Sequence, residues 1–329
     1  MVAYDRHVPL LTDESDHIPH ARGGAACRTQ PRAPGLTHRA LAIGHPAAIK
    51  LRFPPASTHL SSPPGNPSRL NPGKLGSPAG PAPHTFGRMA DECFAHPRLA
   101  AIYDPLDTDR SDLGAYLRIV EEFGARRVLD IGCGTGVFAL LLADRGIDVV
   151  GIDPARASVD VARAKPGGDR VRWICGDATA LPPLRADLAT MTANVAQAIA
   201  DPHAWQKTLR GAYEALRPGG HLVFETRDPA KRAWEKWTRE NSYRVTEVPG
   251  VGPVENWVEL IQVSLPLVTF RWTYVFAADG QVLTSDSTLR FRDREEVETD
   301  LVAHGYVVQD VRDAPDRPGK EFVFLARRP

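Results

Sequence analysis

Two carboxylates and three glycines stand where they can grip a ligand. In Val128-Leu129-Asp130-Ile131-Gly132-Cys133-Gly134-Thr135-Gly136, an apolar run carrying Asp130 leads straight into glycines at alternate positions. Glycine lets a backbone turn sharply and approach a ligand with no Cβ in the way. A dinucleotide site wants G-x-G-x-x-G, with a pyrophosphate on the end of the next helix. Here the third glycine comes one residue early, and Asp130 precedes the first by two. An acid at that place repels a pyrophosphate and suits a ligand bearing an ammonium group. Further on, Gly151-Ile152-Asp153 closes a second apolar run. A carboxylate at the carboxyl end of a strand accepts hydrogen bonds from both hydroxyls of a ribose. The competing role for Asp153 is to cap the helix that follows.

These residues need a frame, and the hydrophobic pattern supplies one. Val128 to Ile131 reads as a buried parallel strand, and Val137 to Ala143 as a helix whose N-terminus points back at the glycine turn, closed by Gly146. A strand over 147–152, a helix over 156–164 and a strand over 170–174 follow. A fourth strand over 185–192 leaves through Thr192-Ala193-Asn194-Val195-Ala196-Gln197. Next come an amphipathic helix over 204–216, a tight break at Arg217-Pro218-Gly219-Gly220 and a fifth strand over 221–226. Two helices precede all this, around 99–104 and 113–123, the second with Ser111 or Asp112 as its cap. Alternating strands and helices predict an α/β doubly wound sheet.

The D-x-G-x-G-x-G turn, the acid ending strand two, the segment Gly176-Asp177-Ala178 after strand three and the R-P-G-G before strand five occur in one order. Residues 128–226 thereby resemble the class I methyltransferases that use S-adenosylmethionine. The resemblance implies a seven-stranded Rossmann-like sheet and S-adenosylmethionine as cofactor, with no metal. It implies that Asp130, Gly132, Cys133, Gly134 and Gly136 form the first cofactor motif and that Asp153 takes the ribose. Asp177 would meet the exocyclic amine of adenine and the Ala178 amide a ring nitrogen, with Thr192 on the strand-four exit. From the leading segment it adds Tyr103 and Arg110 near the methionine end; their competing reading is a packed tyrosine and a solvated arginine. No residue is singled out as catalytic, because a neutral amine nucleophile requires no base and His221 begins a buried strand. The rival functions are an NAD(P)-dependent oxidoreductase on the same sheet and a non-catalytic module that binds the cofactor.

Beyond Thr226 the pattern changes. Asp228-Pro229 starts a predicted helix carrying Trp234 and Trp237, and strands follow over 243–248, 254–263, 267–276 and 281–291, with a hairpin turn at Ala278-Asp279-Gly280. Residues 227–292 thus read as an antiparallel insertion over the active site. A helix over 295–304 and strands over 306–311 and 321–327 end the chain. The arrangement is similar to small-molecule N-methyltransferases of the glycine/sarcosine and amino-sugar type. That similarity implies Asn194 and Arg227 as holders of a substrate carboxylate; the alternative is that they are local caps or ion-pair partners. Ala193, Val195 and Gln197 depart from that family's pattern and argue against glycine itself. Trp234 and Trp257 either line a substrate pocket or fill the core of a small sheet.

Composition bounds the rest. Of the 329 residues, the first 88 hold fourteen of the 29 prolines and ten Lys/Arg against four Asp/Glu, leaving thirty against thirty-six for residues 89–329. The first stretch reads as a disordered Pro-rich tail, which translation from Met89 would omit, and the second as one methyltransferase domain. Seven histidines fall in the tail without zinc-site spacing. An acidic body that lacks an Asn-Pro-Pro-aromatic element disfavours nucleic acid and points to a small-molecule substrate. No apolar run of about 18 residues suggests a membrane span. Four scattered cysteines suit a reducing cytoplasm. Oligomeric state has no signal in the sequence.

Overall fold

The computed structural model describes residues 90–329. The readings of the Pro-rich tail, its histidines and a start at Met89 lie outside the described residues. Three helices, α1 (Glu92–Ala95), α2 (Pro97–Leu106) and α3 (Leu113–Glu122), precede β1 (Arg127–Ile131). Then come α4 (Val137–Ala143), β2 (Asp148–Asp153), α5 (Arg156–Ala164), β3 (Val171–Cys175), β4 (Ala186–Met191), α6 (Val195–Ala198), α7 (Pro202–Ala215) and β5 (Leu216–Arg227). The insertion holds α8 (Arg239–Ser242), β6 (Arg244–Val248), β7 (Gly252–Ser264), β8 (Leu267–Phe276) and β9 (Val282–Arg290). The chain closes with α9 (Arg294–Ala303), β10 (Val307–Asp313) and β11 (Glu321–Arg327).

Seven strands form one sheet in the order β10-β11-β5-β4-β1-β2-β3, with β11 antiparallel to both its neighbours and β1 to β5 mutually parallel. Continuous apolar runs form its middle because helices cover both faces. Side chains alternate between two cores: Leu129, Leu222 and Phe224 pack with Trp205 and Leu209 of α7 and Leu301 of α9. Val128 and Val223 pack on the other face with Tyr116 of α3 and Phe138 of α4. Strand order reverses between β1 and β4, and at such a switch point the loops leaving the carboxyl ends open a crevice.

The insertion is a separate antiparallel sheet in the order β6-β7-β8-β9. Its apolar face buries Trp234, Trp237, Phe270, Trp272 and Phe276 against Cys93, Leu99, Ile102 and Leu106 of the leading helices. Three details depart from the pattern reading. Asp112 has helical backbone angles and makes no side-chain cap. The helix expected after Asp228 is two 3-10 turns, Pro229–Lys231 and Ala233–Lys236, separated by Arg232 at φ 48°. The fifth strand begins at Leu216, because the Arg217–Gly220 break is held by the chain end: Gly219 N–H donates to Arg328 O and Arg328 N–H to Gly220 O, each at 2.8 Å.

Candidate active site

A cleft lies at the switch point, lined by Phe94, Tyr103, Arg110, Asp130, Cys133, Gly134, Thr135, Val137, Phe138 and Thr192. Asp130 is the penultimate residue of the buried run of β1, and among the described residues Thr190 Oγ1 on β4 donates to its side chain at 3.1 Å. The carboxyl is 1% exposed. Burial raises its pKa to about 7, against the Thr190 hydrogen bond that lowers it. Arg110 lies 3.4 Å from Asp112; burial acts to lower its pKa, but Asp112, Tyr103 and Asp107 raise it on balance, so it stays a cation. The cleft therefore presents one buried acid, one guanidinium and three aromatic rings.

Asp153 sits behind the glycine turn. Gly134 N–H donates to its Oδ2 at 2.9 Å and Ala155 N–H to its Oδ1 at 2.8 Å, so the side chain ties the turn to the start of α5. Burial raises its pKa, partly opposed by those two backbone donors. Gly132 and Gly136 serve packing as much as approach: a Cβ on Gly132 would fall 2.5 Å from a Val195 methyl, and one on Gly136 2.5 Å from the Trp173 ring.

The leading helices roof the cleft. The Phe94 and Tyr103 rings pack at a 51° tilt with centroids 5.5 Å apart, and Ser158 Oγ of α5 donates to Phe94 O at 2.9 Å. Thr135 Oγ1 donates to Asp104 at 2.6 Å, while Lys165 pairs with Asp104 and donates to Thr135 O. On the other side, Cys93 N–H donates to Ser285 Oγ of β9, and Arg98 lies 3.6 Å over the Phe276 ring.

Of the residues expected at a cofactor, Tyr103, Arg110, Asp130, Cys133, Gly134 and Thr192 meet in the cleft. Gly132, Gly136, Asp153, Asp177 and Ala178 are not among its lining residues; they lie at or just beyond the carboxyl ends of β1, β2 and β3. Asp177 is exposed and accepts from Thr179 N–H at 2.9 Å; Ala178 is 3% exposed. The residues expected at a substrate do not line the cleft. Asn194 adopts φ 69° and gives its N–H to Glu225 at 2.8 Å. Arg227 is 2% exposed and pairs with Glu321 at 3.2 Å. Trp234 packs on Phe291 in the core of the small sheet, and Trp257 lies on that sheet's other face under Arg239. Pattern reading passed over Phe94, Thr135, Val137 and Phe138. Thr135 and Val137 flank the last glycine of the turn, so their neighbourhood was the available signal. Among the described residues, no group of three or more His, Cys, Asp and Glu is placed to hold a metal ion.

The methyltransferase-domain family matches residues 128–220. This chain carries a class I methyltransferase domain. The fold is also similar to that of an amino pentose methyltransferase from Micromonospora echinaspora solved with S-adenosylmethionine bound: TM-score 0.51, 20% identity, over 70% of this chain and 97% of that one. A cypemycin N-terminal methyltransferase from Streptomyces is 36% identical over 32% of this chain and 44% of its own length. A ubiquinone biosynthesis O-methyltransferase from Idiomarina loihiensis is 32% identical over 33% and 45%. The chain spans less than half the length of these curated relatives. In the methyltransferase domain, Asp153→Ala is expected to free the Gly134 amide and to weaken S-adenosylhomocysteine binding by about 1–3 kcal/mol, the scale for losing hydrogen bonds to a charged acceptor. Calorimetric titration measures it, and an unchanged affinity removes Asp153 from the site.

Proposed function

We propose that the protein is an S-adenosylmethionine-dependent methyltransferase acting on a small-molecule acceptor, with an amine favoured over a hydroxyl. The observation that carries this reading is the buried Asp130 sharing one cleft with Arg110 at the switch point of a methyltransferase sheet. An acid and a guanidinium suit the ammonium and carboxylate of a methionine end, and the rings of Phe94, Tyr103 and Phe138 suit a sulfonium cation. When bound, the cofactor supplies an electrophilic methyl group. Asp130 would accept from the ammonium, Arg110 would hold the carboxylate, and Asp153 would use its remaining lone pairs on the ribose. Asp177 and the Ala178 amide would meet the adenine beyond Asp153.

The chain's own task is alignment. Holding nucleophile and methyl in line is worth about 7–11 kcal/mol, and the roof of α1 and α2 keeps competing water out. No histidine lines the cleft, and its one carboxylate is assigned to the cofactor; this favours an acceptor that arrives as a neutral amine. The net acidic body speaks for a small molecule over nucleic acid, and no helix among the described residues is long and apolar enough to cross a membrane. We read residues 89–329 as one domain whose insertion, 227–292, covers the acceptor, and the unpaired cysteines Cys93, Cys133 and Cys175 as suited to the cytoplasm.

Titration with S-adenosylhomocysteine and with NAD tests the reading against an oxidoreductase. Binding of NAD alone refutes it. Turnover of S-adenosylmethionine over a panel of small amines and hydroxyl compounds then separates an enzyme from a binding module, and exclusive turnover of hydroxyl compounds reverses the amine preference.

A further inference from the structure

Behind Thr192 and Phe138, two residues that line the cleft, lies a buried carboxylate. Glu225, on β5, is 3% exposed. Its Oε1 accepts the Asn194 N–H at 2.8 Å, and the Tyr116 hydroxyl of α3 donates to its Oε2. Ala193 and Asn194 are consecutive non-glycine residues in the left-handed region, at φ 58° and 69°, immediately after Thr192. Such a conformation persists only where the surroundings impose it. Tyr116 in turn sets its ring edge 6.2 Å from Phe138, which lines the cleft beside Thr192.

We infer that Glu225 is the positioning residue for the Thr192–Phe138 wall of the cleft: through the Asn194 amide it fixes the left-handed bend that delivers Thr192, and through Tyr116 it steadies Phe138. The assignment rests on the methyl-donor reading of the cleft. Near Glu225, Glu321 of β11 pairs with Arg227 of β5 and with Arg317 of the loop before β11. Burial and the neighbouring Glu321 raise its pKa to about 7. The hydrogen bond from Asn194 needs only an acceptor oxygen, so an amide oxygen in the same place satisfies it.

The test is hydrogen exchange of the full chain together with titration by S-adenosylhomocysteine, with peptides from β2 as internal reference. E225L is expected to speed exchange across Thr192–Gln197, and to weaken the affinity, by about tenfold each, the scale of one lost hydrogen bond to a charged group. E225Q, which keeps the acceptor oxygen, is expected to stay within about threefold of wild type in both. Either effect without the other in E225L overturns the assignment, as does an E225Q as impaired as E225L. If E225L does not fold, Y116F replaces it: faster exchange confined to Thr192–Gln197 supports the role, and unchanged exchange overturns it. A wild type that fails to bind S-adenosylhomocysteine refutes the donor reading, while the exchange arm still judges Glu225 by itself.

Discussion

Asp130→Asn is expected to weaken S-adenosylhomocysteine binding by about 1.5–3 kcal/mol, the range for a hydrogen bond to a charged group, and to abolish its pH dependence. An asparagine fills the same space and keeps an oxygen for Thr190, but it offers no charge to an ammonium. In the wild type the carboxyl titrates near pH 7, so affinity should climb as pH rises through 7 and level off above it. Below that pH the acid is neutral and the ammonium loses its partner. The same group acts on stability with the opposite sense. Its pKa is raised on folding from 3.8, so its contribution to stability is complete below pH 3.8 and is lost as pH climbs to 7. Glu225, raised from 4.5, acts alike. Titrations at pH 6, 7 and 8, with melting curves at the same values, check both; a wild-type affinity that is level across this range withdraws Asp130 from the ammonium.

Gly136→Ala should cost about 2–5 kcal/mol of stability, adding a left-handed penalty of about 1–2 to an overpacking penalty of about 1–3. Gly136 holds φ 81°, and the new methyl would meet Trp173 at 2.5 Å and Ala162 at 2.8 Å. Trp173 has no room to yield, since its indole N–H is fixed on Gly168 O at 2.7 Å and its ring also abuts Gly151. Gly146→Ala is the matched control: its φ is 76°, yet nothing lies within 4 Å of the added carbon, so it should lose only the conformational share of about 1–2 kcal/mol. Urea denaturation of the two variants compares them directly. Equal losses would mean that Trp173 does not back the glycine turn.

Elements whose signal is local were the legible ones. The last strand, 321–327, and the helix over 156–164 lie where the apolar pattern puts them, as does the hairpin at Ala278–Gly280. Asp130 was legible too, because its place before the glycines is a local property of the chain. What local pattern hides is partnership at a distance. Arg227 has the chemistry to hold a carboxylate, but its partner is Glu321, ninety-four residues on, and nothing near either position announces the pair. The tryptophans of the insertion were ambiguous for a similar reason. Trp257 and Val258 are neighbours on β7, both faces of that strand carry apolar side chains, and only pairing with β8 decides which is inward. Phe94 becomes part of the cleft solely because α1 and α2 fold back over α5.

That folding back bears on where the polypeptide can be cut. A fragment trimmed to residues 128–220, the length matched by the family, would cut β5 after Gly220 and lose Phe224 together with the partner strand β11 and its stacked Phe324. Removing only the stretch before β1 would be scarcely milder: it would uncover Val254, Phe270 and Phe276 of the small sheet, which Leu99, Ile102 and Leu106 shield. The autonomous unit is therefore larger than its signature, reaching from Glu92 to the final strand, and shortened versions that respect only the signature should aggregate through those bared apolar faces.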